Sequence, residues 1–255
     1  MSDDRLKTKS KGIFSCDDLT RILDAARYPK ERHQYLIELM KEFELSFALD
    51  CNPPRFLIPG ILPKDEPEDT DLEGDTLEFQ YHYRVLPNSI ISRFIVKTHE
   101  KIHNETYWRS GVMLAYKESD ETCNVALIKS DPEDNKIFIA ISGKCETRRT
   151  FLGLIRDVFN KLHRSFGNLE ISEWVPVPDH PKHPPLDYQE LLGLEAMGET
   201  QVTIGKLRLK LELRKLLDGY EPLQQRQRQT GDYIENQTNY YQYGNGDNVG
   251  RDKRL

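Results

Sequence analysis

Apolar and polar positions alternate along this chain with two different periods, and the places where the period changes mark the elements. Ser15 precedes Cys16, Asp17 and Asp18 at a helix start, where a hydroxyl N-cap and early acids satisfy the first amides and the helix dipole. Leu19, Ile22, Leu23 and Ala26 then form one apolar face until Pro29 ends it. A second helix is predicted over 30–44 with Tyr35, Leu36, Leu39, Met40 and Phe43 at helical spacing, followed by two short apolar runs at 46–49 and 56–59 that read as a hairpin. Two helices and a hairpin predict a truncated winged-helix-like lobe over 12–64.

Residues 63–75, PKDEPEDTDLEGD, are rich in proline and acid, show no apolar period, and are expected to form an exposed connection. A β-prone run follows to Arg84, then a helix predicted over 88–103 with Ile90, Ile91, Phe94, Ile95, Thr98 and Ile102 on one side. Strand signals at 112–116, 124–128 and 136–142 are joined by the polar turns ESDET and SDPEDN and therefore read as hairpins. The clearest helix spans 147–166, where Phe151, Leu154, Ile155, Val158, Phe159, Leu162 and Phe166 form a wide aromatic stripe suited to lying across a sheet. With a last strand at 169–177, the segment 76–199 is predicted to be an antiparallel sheet covered by helices, and the fold class α+β. Residues 200–220 alternate and then turn helical, as an ordered extension. From 221 to 255 the Gln-, Asn-, Tyr- and Gly-rich composition offers no material for a core and predicts a disordered tail.

The whole-chain composition narrows the functional classes. With 37% hydrophobic and 31% charged residues over 255 positions, the chain supports two small lobes better than one large core. A net charge of −6 argues against nucleic-acid binding, because phosphate affinity comes from clustered cations. The four cysteines, Cys16, Cys51, Cys123 and Cys145, form no CxxC pair, and no apolar run is long enough to cross a bilayer. A reduced, cytoplasmic setting without membrane insertion is expected.

Several strings carry candidate chemistry. No GxxxxGK[ST] phosphate loop is present: Gly143-Lys144 and Gly205-Lys206 lack both the upstream glycine and the following hydroxyl. Asp71 to Gly74 and Asp247 to Gly250 match DxxG, but neither follows a buried strand, and Asn135-Lys136 lacks the acid that guanine recognition needs. No cofactor is implied. His99-Glu100-Lys101-Ile102-His103 is a literal HExxH, which on a helix would place two imidazoles on one face to hold zinc, with Glu100 as general base. Against it stand Lys101, the position at a helix end, and Thr106 where the longer pattern has glycine. The alternative to a zinc hydrolase is a solvated flank of an amphipathic helix. His180 and His183 lie in a proline-bound turn, and Lys206, Arg208, Lys210, Arg214 and Lys215 alternate with leucines as a solvated face.

The runs LEFQYHYRVLPNSIISRF, TRRTFLGLIRDVF, DYQELLGLEAMGE and KLLDGY, preceded by FSCDDLTRIL, LIELMKEFELSFAL and FLIPGILP, resemble the COR ("C-terminal of Roc") domain of Roco proteins over about 12–220. The first group resembles the second COR subdomain, and the preceding group resembles the closing half of the first. The resemblance implies a fragment lacking the Ras-like GTPase domain, Roc, that precedes COR in the family. It further implies a non-catalytic module, homodimerisation through the second subdomain, and coupling to the Roc domain in small-GTPase signalling. Within it, Tyr83, Leu86, Ser92, Arg93 and Phe94 are where contact with a Ras-like domain or a second copy is expected. Tyr107, Trp108 and Arg109 form a further candidate, aromatic and arginine side chains being favoured at interface hot spots.

Overall fold

The structure, a computed structural model, describes residues 12–217. The tail expected at 221–255, and the last residues of the extension before it, lie outside them. The first lobe opens with strand β1 (Ile13–Ser15), helix α1 (Cys16–Ile22) and helix α2 (His33–Glu42), then strands β2 (Phe47–Leu49) and β3 (Arg55–Leu57). The three strands form an antiparallel sheet in the order β1-β3-β2. Ser15 caps α1 through a reciprocal pair: its hydroxyl accepts from the Asp18 amide at 3.3 Å, and the Asp18 carboxylate accepts from the Ser15 amide at 2.8 Å. Phe14, Leu19, Ile37 and Phe56 close this lobe's own small core.

The second helix turns a different side inward from the one its apolar spacing suggested. It buries His33 and Ile37, whereas Tyr35 and Phe43 are 60% and 65% exposed. Ile37 is the side chain that meets Phe14, Leu19 and Phe56, and its position fixes the helix rotation, leaving Tyr35, two places before it, facing out.

The second lobe is built on a seven-stranded antiparallel sheet. Its strands are β4 (Leu77–Tyr83), β5 (Ile102–Trp108), β6 (Gly111–Glu118), β7 (Glu121–Asp131), β8 (Lys136–Gly143), β9 (Ile171–Val175) and β10 (Leu186–Asp187), in the order β10-β9-β4-β8-β7-β6-β5. Helices α3 (Ile90–Thr98), α4 (Cys145–Ser165) and α5 (Tyr188–Ala196) bury their apolar residues in the core that one face of this sheet supplies. Leu77, Phe79, Tyr81 and Tyr83 alternate inward from β4, Ile137, Ile139 and Ile141 from β8, and Ala126 and Ile128 from β7. Phe159 of α4 stacks on Phe94 of α3 with ring centroids 4.3 Å apart, locking the two helices together. Leu154, counted in the apolar stripe of α4, lies at its margin and is 44% exposed.

Helix α3 is shorter than its periodicity predicted. It stops at Thr98, whose hydroxyl bonds back to the Phe94 carbonyl at 2.8 Å; a single 3₁₀ turn, His99–Lys101, follows, and the chain enters β5 at Ile102. Ile102 is drawn into the sheet opposite Leu114, so the residue that completed a helical face instead completes a strand pair. Strands β11 (Gln201–Ile204) and β12 (Leu209–Glu212) make a separate hairpin, and the short helix α6 (Leu213–Leu217) returns Leu213, Leu216 and Leu217 to the main core. No helix among the described residues is long and apolar enough to cross a membrane.

Candidate interaction surface and lobe junction

The junction between the lobes is an apolar seam flanked by two ion pairs from Glu44 and by hydrogen bonds from Arg109. Phe47, Leu57 and Leu62 of the first lobe share one continuous core with the sheet and helices of the second. Glu44, held at positive φ just beyond α2, accepts from Arg93 Nε at 2.7 Å and pairs also with the Lys97 ammonium one turn further along α3. Burial works to raise the Glu44 pKa, but hydrogen bonds from Lys97 and Arg93 outweigh it and hold the carboxyl below its ordinary range. On the other side of the seam, Arg109 donates from Nε to the Leu62 carbonyl at 2.8 Å and from its amide to the Pro63 carbonyl at 2.9 Å. Within the mostly exposed acidic connection, Glu66 pairs with Lys129 at 3.0 Å.

These contacts place each of the residues expected at an interface. Tyr83, Leu86, Phe94 and Trp108 are buried in the chain's own interior. The Tyr83 hydroxyl is hydrogen-bonded to His163 Nε2 at 2.8 Å, and the Leu86 amide donates to the Asn135 side chain at 2.9 Å. Burial pushes the Tyr83 hydroxyl well above its usual range and pulls His163 down to about 4, the charge of Glu173 opposing the latter only in part. Arg93 is engaged by Glu44, by Ser165 and by the Phe166 ring, and Arg109 by the first lobe's carbonyls. Ser92, whose hydroxyl donates to the Ser89 carbonyl, and the half-buried Tyr107 retain partial access to solvent.

The HExxH string does not form a helical pair of imidazoles. His99 sits in the 3₁₀ turn, donates from Nδ1 to the Val96 carbonyl at 2.8 Å and packs against Phe47, whereas His103 lies in β5 beside Asn104. The motif's chemistry requires both rings on one helix face, and α3 ends before either histidine. Among the described residues no group of three or more His, Cys, Asp or Glu is placed to hold a metal ion.

Two part-buried ion pairs had no signal in the sequence. Arg156 of α4 grips the Glu173 carboxylate with contacts of 2.8 and 3.2 Å while its guanidinium lies 4.5 Å from the Tyr188 ring centroid and 5.5 Å from that of Phe79. Arg149 holds Glu195, 3% exposed, at 2.6 and 2.7 Å. Together they tie α4 to β9 and α5. The partners are 17 and 46 residues apart, so no local spacing marks them.

A two-helix, three-stranded lobe is joined to a helix-covered antiparallel sheet, and comparison with known proteins says which family has this chain's sequence. Residues 74–219 match the family model "C-terminal of Roc, COR-B domain", and residues 1–62 match "C-terminal of Roc, COR-A domain". The chain belongs to the COR family, whose domains accompany a Roc GTPase domain in Roco proteins. Its similarity to a probable serine/threonine-protein kinase pats1 of Dictyostelium discoideum is 28% identity over 121 residues, 42% of this chain and 4% of that protein. A Roc-COR-CHAT protease of Runella zeae is 24% identical over 119 residues, 46% of this chain and 12% of the relative. The chain thus matches only a small part of the length of either relative.

Proposed function

We propose that this chain is a non-catalytic COR module that forms a homodimer through its second lobe and couples a Roc GTPase domain to its neighbours in small-GTPase signalling in the cytoplasm. The observation that carries the reading is the junction itself: Glu44 sits between Arg93 and Lys97, and Arg109 between the end of the first lobe and β5, so a partner that displaces the first lobe must disturb the second. Coupling of this kind requires a partner to bind two arrangements with different free energies, and the Glu44 ion pairs that clasp the junction are contacts that a second arrangement would break. Ser92 and Tyr107, partly accessible beside the clasp, are the points at which a Ras-like domain would touch it, with Tyr83, Leu86, Phe94 and Trp108 supporting them from beneath.

A purified Roc domain, loaded with GDP or with a non-hydrolysable GTP analogue, would be titrated into the chain by calorimetry, with the mass of each mixture read by sedimentation. The expected result is a dimeric chain whose affinity for Roc differs between the two nucleotides by roughly fivefold or more. Equal affinity in both nucleotide states would overturn coupling, and a monomeric chain under all conditions would overturn dimerisation.

A further inference from the structure

The sheet face turned away from the helices carries an apolar floor that the described residues leave half-covered. Inward positions on β7 and β8 are taken by Ala126, Ile128, Ile137, Ile139 and Ile141, so Leu127, Phe138 and Ala140 point outward, in cross-strand rows with Glu78, Gln80 and Lys129. These outward side chains floor a groove of about 650 Å³, walled by Pro132 and Glu133 of the β7–β8 turn, by Pro176 beyond β9 and by Glu66 of the acidic connection. The charged lining is lopsided. Glu66, Glu78, Asp131 and Glu133 face Lys129, which is already paired with Glu66. An occupant that suits this groove is apolar at its centre and cationic at its flanks.

The chain presents such a group elsewhere. The β11–β12 hairpin turns through residues 205–208, closed by hydrogen bonds from the Leu207 amide to the Ile204 carbonyl at 3.1 Å and from the Arg208 amide to the Gly205 carbonyl at 3.2 Å. Its tip holds Leu207 36% exposed between Lys206 and Arg208, both exposed. Among the described residues neither cation is ion-paired. The turn is braced by its own backbone, so little ordering is needed when it enters a partner.

Resting on the dimer reading above, we infer that the groove receives the β11–β12 hairpin tip of a second copy of this chain, and that the exchange is reciprocal. Leu207 covers the floor of Leu127, Phe138 and Ala140, and Lys206 and Arg208 meet Glu78 and Glu133. A reciprocal exchange closes on two subunits, because each contributes one tip and one groove to a twofold contact.

The test uses the whole chain and two surface charge swaps, Lys206→Glu with Arg208→Glu and Glu78→Lys with Glu133→Lys, each checked for native circular dichroism. Sedimentation equilibrium should show the native dimer weakened at least tenfold in either swap. An equimolar mixture of the two should regain it, because each acidic tip then meets a basic groove while the other contact stays native. A native dimer that the tip swap leaves unchanged overturns the hairpin assignment and leaves dimerisation standing. The hairpin assignment falls equally if only the groove swap weakens the dimer, since the occupant is then another segment, or if the mixture fails to recover. A native chain that is monomeric at every concentration overturns both.

Discussion

At the scale of single residues, the interior of the second lobe is more polar than its apolar stripes suggest. His163 lies on the inner side of α4 with its imidazole against Tyr81, Tyr83 and Phe159, and burial brings its pKa from 6.5 to about 4. The folded state therefore favours the neutral ring. Between pH 6.5 and about 4 the unfolded chain binds the proton that the folded chain refuses, so this group's contribution is fully present above pH 6.5 and is lost as pH falls through that window. Replacing His163 with Gln, which keeps a polar partner for Tyr83 but does not titrate, should flatten the fall of the urea midpoint between about pH 7 and 4. An identical slope in the variant would remove His163 as the cause. The Arg156 and Glu173 pair behaves differently, because its value lies in being intact. Glu173→Gln leaves the half-buried guanidinium between two aromatic rings without its counter-charge and should cost about 1.5–3 kcal/mol by chemical denaturation.

The elements depend on a few positions where backbone geometry leaves no room for choice. Gly143 ends β8 and feeds α4 with φ +99°, and a Cβ there would sit 2.2 Å from the Cys123 carbonyl oxygen. That carbonyl in turn accepts from the Lys144 amide, and Asn124 bonds the Ser142 and Lys144 carbonyls at 3.0 and 2.9 Å, so the strand-to-helix corner is fully committed. Gly143→Ala should destabilise the protein by more than about 1 kcal/mol, and an unchanged melting temperature would show that the corner relaxes freely. The elements were legible where one period ran unbroken, as in α4 or in the hairpins of β6, β7 and β8. They were not legible at 99–103, where Ile102 kept the helical spacing while Thr98 closed α3 and pairing with β6 claimed Ile102.

Across the whole molecule, the two lobes share one core, and their register is set at the junction. Glu44→Gln removes the charge to which both Arg93 and Lys97 are tied. Hydrogen exchange of first-lobe amides should then quicken by roughly tenfold, as expected for losing about 1.5 kcal/mol of charge-assisted bonding, while the sheet of the second lobe keeps its protection. Equal acceleration in both lobes would show that the clasp supports global stability alone. The candidate site was legible only in outline. Its region was pointed to by the run from Tyr83 to Phe94 and by Tyr107 to Arg109, yet the partners Glu44, Leu62 and His163 stand 47 to 80 residues away in sequence.

The amino-acid sequence by itself determined the α+β class, most helices and hairpins, and membership of the COR family, because each rests on short-range periodicity, turn chemistry or the order of local motifs. Tertiary structure alone decided which side of α2 faces inward, where α3 stops, and which arginines are engaged inside the chain. Those outcomes follow from competition between distant groups for the same surfaces. Ile37 outcompetes Tyr35 and Phe43 for the first lobe's core, β6 outcompetes a helical turn for Ile102, and Glu44 captures the cations of α3. A local pattern proposes a buried face, but only the packed partner on the other side decides whether that face is filled.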